Sequence, residues 1–116
     1  MSTIETYRGD DREFTFTLTE DGGAMDLTGA ALRFTVKRAV ADLDINAVVS
    51  KTLGSGITVA APLTGVCVVA LAAADTAGLE GSLRLPFDLQ VTRGGRTRTV
   101  VVGDLVVIPD VSRSAP

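Results

Sequence analysis

Residues 83–107 read LRLPFDLQVTRGGRTRTVVVGDLVV, and this stretch decides the fold. Leu83, Leu85, Phe87, Leu89 and Val91 alternate with Arg84, Pro86, Asp88, Gln90 and Thr92, a period of two that puts one face of a strand on a core and the other in water. Gly94-Gly95 then supplies a two-residue loop of the primed type, whose two central residues need positive φ. That turn sets Leu89 opposite Val100, Phe87 opposite Val102 and Pro86 opposite Gly103. Continued unchanged, the register places Asp104 opposite Leu85 on the core face. One extra residue near Gly103 turns Asp104 outward and brings Leu105 and Val107 inward. A bulge is inexpensive there, because Pro86 has no backbone donor and Gly103 tolerates unusual dihedrals.

Upstream the same period recurs. Glu13 to Thr19 alternates Phe14, Phe16 and Leu18 with threonines, and after the turn Glu20-Asp21-Gly22-Gly23 the segment Asp26-Leu27-Thr28-Gly29 leads into Ala31 to Arg38, where Leu32, Phe34 and Val36 share a face. Residues 39–46 have no clean period and carry Asp42 and Asp44, which predicts a loop with at most one helical turn. Val48 to Leu53 is a short strand. Beyond the Gly54-Ser55-Gly56 connection, Ile57 to Ala60 and Val66 to Leu71 form a pair around Pro62-Leu63-Thr64-Gly65, and their two apolar faces predict central positions. Ala72 to Gly81 breaks the alternation. Asp75 is suited to cap a single helical turn near 75–79 that Gly78 or Gly81 ends.

About seven or eight short strands separated by glycine-rich turns predict an all-β fold, a two-sheet antiparallel immunoglobulin-like sandwich, with a small closed barrel as the competing architecture. The division expected is an extended N-terminal arm over 1–12, the sandwich over 13–109, and a polar C-terminal tail over 110–116. The expected core contains Phe14, Phe16, Leu32, Phe34, Val36, Leu85, Phe87, Leu89 and Val102.

Composition limits the chemistry. The 116 residues are 46% hydrophobic with a mean hydropathy of +0.33, enough apolar material for one packed domain. Eleven Lys+Arg against fourteen Asp+Glu give a net charge of -3 and a pI near 4.8, without the basic footprint of nucleic-acid or anionic-membrane binders. With no histidine, no tryptophan and one cysteine, histidine acid/base catalysis, Cys/His zinc sites and an internal disulfide are excluded. Cys67 sits in an apolar strand with no nearby base, the position of an inert packing thiol. No apolar run approaches the roughly 20 residues of a membrane span, and Met1 to Tyr7 lacks the basic end and apolar stretch of a signal peptide, which predicts a soluble protein made in a cytoplasm. No cofactor, metal or enzymatic activity is expected.

The order of segments carries a resemblance. Arg8-Gly9-Asp10 before Phe14-Thr15-Phe16-Thr17, Asp26 to Ala30 running into Leu32 to Lys37, Asp75 to Leu79, Phe87 to Val91, and Gly103 to Val107 together resemble the immunoglobulin-like N-terminal domain of tailed-phage baseplate upper proteins and related small prophage proteins. The resemblance spans about Tyr7 to Pro109. It implies a non-enzymatic virion structural protein of the tail or baseplate, contacting other tail, baseplate or capsid subunits and further copies of itself, present in the virion and in the host cytoplasm during assembly. Two departures stand out. Baseplate upper proteins usually continue into a long fibrous or receptor-organising portion, whereas this chain stops at Pro116, so receptor engagement through an appended module is not expected. Phe87 stands where the family often has tyrosine. Two alternatives stay open: a head decoration protein, and a free-standing carbohydrate- or protein-binding module.

Several short motifs have bland readings beside their chemical ones. Arg8-Gly9-Asp10 matches an integrin-binding tripeptide, yet Gly9 equally serves a turn before a strand. Asp10, Asp11, Glu13, Glu20, Asp21, Asp42 and Asp44 lack calcium-loop spacing and read as solvated acids. Gly54-Ser55-Gly56 lies between strands, not before a helix, so it is no phosphate loop. Arg93, Arg96 and Arg98 form the dense basic cluster, fit for pairing with an acidic neighbour, for contact with phosphate or polysaccharide, or for discouraging edge aggregation. The candidate partner contacts are Tyr7, Arg8, Arg93, Arg96, Arg98, Val111 and Arg113.

Overall fold

The period-two segments become strands, and the computed structural model describes them over residues 2–79 and 83–109. In chain order they are β1 (Ser2–Tyr7), β2 (Arg12–Thr17), β3 (Thr19–Glu20), β4 (Gly23–Ala24), β5 (Ala31–Val36), β6 (Val49–Leu53), β7 (Gly56–Thr58), β8 (Val66–Leu71), β9 (Leu83–Arg93) and β10 (Arg96–Ile108). One short helix, α1 (Ala73–Ala77), and 3-10 turns at Asp44–Asn46 and Pro62–Thr64 complete the described chain. The fold is all-β. The expected tail over 110–116 lies outside the described residues, as do residues 80–82, which include Gly81.

Eight strands hydrogen-bond in the order β1-β10-β9-β5-β6-β7-β8-β2, while β3 and β4 make a separate hairpin. Laid flat, the four steps from β5 to β2 would span about 19 Å. Phe16 of β2 nevertheless lies with its ring centroid 6.3 Å from Phe34 of β5 and 6.2 Å from Phe87 of β9. The sheet therefore doubles over, stacking β1-β10-β9-β5 on β6-β7-β8-β2 with the aromatic rings between the layers. The order has two ends, β1 and β2, so this is an open sandwich and not a closed barrel.

Pairing is not antiparallel throughout. β1 runs parallel to β10, from Ser2 opposite Gly103 to Tyr7 opposite Ile108, and Thr52–Leu53 lies parallel to Gly56–Ile57. The second case is a tight corner, closed by Ser55 N–H donating to Thr52 O and Gly54 N–H to Ile57 O. The first changes the reading of the N-terminus: residues 2–7 are extended, but they are hydrogen-bonded into the sheet as its edge strand, with Thr6 only 2% exposed.

The β9–β10 hairpin begins in the expected register. Gly94 (φ 59°) and Gly95 (φ 78°) form a primed turn, and Arg96 to Thr99 face Arg93 to Gln90. An extra residue then enters, but at Val100, three positions before Gly103. Beyond it Val101 faces Leu89, Gly103 faces Phe87, Leu105 faces Leu85 and Val107 faces Leu83. Leu105 and Val107 are buried, as a bulge demands, and Val102 is corrected from core to surface, where it is 53% exposed. The physical reason is the period itself, since a one-residue shift exchanges the faces of every residue beyond it. Gly103 serves space instead: a Cβ there would sit 1.9 Å from Ser2 O and 3.0 Å from the Phe87 ring, so its absence lets β1 and Phe87 close on β10 together.

The other expected core residues Phe14, Leu32, Phe34, Val36, Leu85, Phe87 and Leu89 are buried, and Phe16 is half-buried against them. Met25 and Leu27, in a segment without strand periodicity, are also buried. β7 and β8 are interior in the order, yet β8 buries only Cys67, Val69 and Leu71; Val66, Val68 and Ala70 on its other face are half-buried. In α1, Asp75 acts from the third helical position, its Oδ2 accepting the Ala72 N–H at 2.7 Å. Asp11 Oδ1 accepts the Ala73 N–H at 2.8 Å, which ties the helix to the start of β2.

These placements predict unequal costs in urea unfolding. Phe87→Ala should lose ~3–5 kcal/mol as a buried aromatic truncation, whereas Val102→Ser should change stability by less than about 0.5 kcal/mol. Gly103→Ala should lose ~1–3 kcal/mol by overpacking and speed amide exchange across Ser2–Tyr7 more than across β9.

Candidate interaction surface

The Arg8-Gly9-Asp10 tripeptide is a built corner. Its turn is closed by Asp10 N–H donating to Tyr7 O at 3.1 Å, while the Arg8 N–H reaches Ile108 O at 2.8 Å and the Gly9 N–H reaches Thr76 Oγ1 at 2.9 Å. Arg8 is only 4% exposed, and its Nη1 donates to Leu79 O at 2.8 Å, fastening the end of α1 to the β1–β10 edge. The guanidinium is thus turned inward, where it serves the fold. Tyr7 beside it is 52% exposed.

At the hairpin tip two of the three clustered arginines are likewise engaged. Arg93 Nη2 and Arg98 Nη1 grip the two carboxylate oxygens of Glu20 at 2.9 and 3.1 Å, and Arg93 Nη1 also donates to Asp26 O. The hydrogen bond from Arg93, helped by Arg98, holds the Glu20 carboxyl below its ordinary range. Asp26 is lowered by its own bonds from Thr28. The cluster therefore clasps the β3–β4 hairpin to β9–β10, and Arg96 is left exposed. Val111 and Arg113 lie outside the described residues.

Sequence reasoning missed a third region, the outer face of β5, β9 and β10 beneath the segment 37–47. A pocket of about 160 Å³ opens there, floored by Thr35, Asp88 and Val102 and walled by Lys37, Val40 and Asp44. Lys37 Nζ bridges Asp44 Oδ1 at 2.7 Å and donates to Asp42 O at 2.8 Å, and Arg33 lies 3.5 Å from Asp44. Lys37 accordingly lowers the Asp44 carboxyl, while burial raises that of Asp88 against the opposing pull of Lys37. From this pinned segment Val40, Leu43 and Ile45 stand 79%, 69% and 89% exposed. The signal in the sequence was three large aliphatic residues in a stretch with no period to bury them.

Cys67 is fully buried, and burial pushes its thiol up to about 11, far from a reactive thiolate. Among the described residues no three metal-ligating side chains converge.

No family model matches the chain, and no curated protein matches it in sequence. Among solved structures it is similar to the N-terminal domain of phage TP901-1 ORF48, with a TM-score of 0.50 and 12% identity over 94% of this chain and 85% of that one. What the two share is the fold.

Three outcomes follow from the placements. Arg8→Ala should cost roughly 2–3 kcal/mol, the loss of a buried charged donor, and Arg96→Ala less than about 0.5 kcal/mol, both read by chemical denaturation. Because burial raises the folded-state pKa of Asp88 above its ordinary 3.8, the folded protein holds this proton more tightly than the unfolded chain, and stability falls as pH rises through the interval just above 3.8. Asp88→Asn should therefore melt higher than the wild type at neutral pH, with the difference vanishing toward about pH 3.

Proposed function

We propose that this chain is a non-enzymatic structural component of a tailed-phage particle, in the tail or baseplate, working through contacts with other virion subunits and with further copies of itself. The observation that carries this reading is the fold, shared across 94% of the chain with the N-terminal domain of a phage protein. The order of strand and turn motifs supports the same class through its resemblance to baseplate upper proteins. Physical chemistry supports it indirectly. The one thiol is sealed in the core, most clustered charges are spent on internal ion pairs, and the segment between β5 and β6, with its exposed aliphatics, is left for contact.

The test is to induce and purify particles from the host that carries the gene. Peptides of this chain should appear in stoichiometric amount with other virion proteins, and electron microscopy should show its density on the tail. Absence from particles rejects the structural role, and density on the head replaces the tail assignment with capsid decoration. Turnover of ester, glycoside or phosphate substrates by the pure chain, abolished by Cys67→Ser or by a carboxylate substitution, would overturn the non-enzymatic reading.

A further inference from the structure

The segment between β5 and β6 exposes more apolar surface than any function derived so far requires. Scattered surface aliphatics are ordinary, but three within six residues, beside the 53% exposed Val102 across the same pocket, form a patch. The patch is also held in shape. Asp42 N–H donates to Ala39 O at 3.0 Å and Asp42 Oδ2 accepts the Ala39 N–H at 3.2 Å; Asn46 N–H donates to Leu43 O at 2.9 Å; and Lys37 ties both Asp42 O and Asp44. Much of the ordering entropy that association would cost has been lost on folding.

The charges choose the occupant. Arg38 is exposed, and among the described residues no carboxylate lies within ion-pair distance of it. Asp42, four positions on, caps a backbone N–H and likewise has no cationic side chain in an ion pair with it. Arg38 and Asp42, a cation and a carboxylate of the same segment without an ion pair, thus flank Val40. A second copy related by a two-fold axis matches both at once, because in such a contact each residue meets its complement twice.

We infer that residues 38–46 are the contact between two copies of this chain, with Val40, Leu43 and Ile45 at its centre and Arg38 of each copy paired with Asp42 of the other. Apolar centre and charged rim are the usual anatomy of an interface. The contact is confined to one short segment, against the about 20–30 residues a side of a standard interface, so a weak dimer is expected. This inference does not depend on the particle reading: a chain found in particles but monomeric when pure overturns only the dimer.

Sedimentation velocity of the full chain from ~1 to ~500 µM tests it. A concentration-dependent dimer is expected. Ile45→Asp should weaken it at least about tenfold, and Leu63→Asp, at a 72% exposed leucine on the Pro62–Thr64 turn, should leave it unchanged. Both positions are exposed, so an unchanged thermal melt confirms that folding is intact. Arg38→Glu should weaken association, and Arg38→Lys, which keeps the charge, should largely retain it. A chain monomeric throughout the range, or a dimer indifferent to Ile45→Asp or to Arg38→Glu, would overturn the inference.

Discussion

Phe16 meets Phe34 and Phe87 across the sandwich, and the layering depends on that meeting. Phe34 and Phe87 come from the neighbouring strands β5 and β9, 5.3 Å apart, and Phe16, from β2 at the far end of the sheet order, lies above both. Each large ring gains most of its stabilisation from leaving water, and offset or tilted contacts add to it. Bringing Phe16 over the other two requires the sheet to turn back on itself between β5 and β2. With the layers closed, Leu18, Met25 and Leu27 seal the region around the β3–β4 hairpin, and Val36, Val49, Leu85 and Val107 extend the core along the strands.

The extra residue at Val100 has consequences well beyond a local kink. It allows the same hairpin to satisfy a two-residue glycine turn at one end and an inward Leu105 and Val107 at the other. It also places Gly103, not a valine, beneath the Phe87 ring, and the missing side chain is the space into which Ser2 fits. The parallel edge strand β1 therefore exists because of a glycine on the strand beside it. Val102 is displaced to the outer face, where it helps to floor the pocket beside Asp88. A core position and a surface feature are thus exchanged by one inserted residue.

Surface charge divides into two kinds. Arg8, Arg93 and Arg98 are turned to structural use, on Leu79 O and on Glu20, so the motifs that look most like recognition elements in one dimension are fasteners in three. The segment 38–46 is the reverse, an unpatterned stretch whose aliphatics remain in water because its backbone is tied to Lys37 and to itself. For a protein proposed to act through contact, the informative surface is the one where the fold tolerates exposure.

The longer alternating strands, the primed turn at Gly94-Gly95, a helical turn around Asp75 and every expected core residue but Val102 were legible in the sequence, because period-two alternation and turn chemistry are local and report directly on which side chains seek burial. The need for a bulge was legible too, since Asp104 could not face the core, but its place was not: the energy of an extra residue depends on what packs against each face, and only the arrival of β1 and Phe87 at Gly103 decided it. The same limit applies to the surface. Nothing near Arg8 in sequence announces Leu79 O, seventy-one residues away, and nothing near Arg93 announces Glu20. Which residues pair inward and which are left for a partner is settled by long-range contacts, and those exist only once the layers have closed.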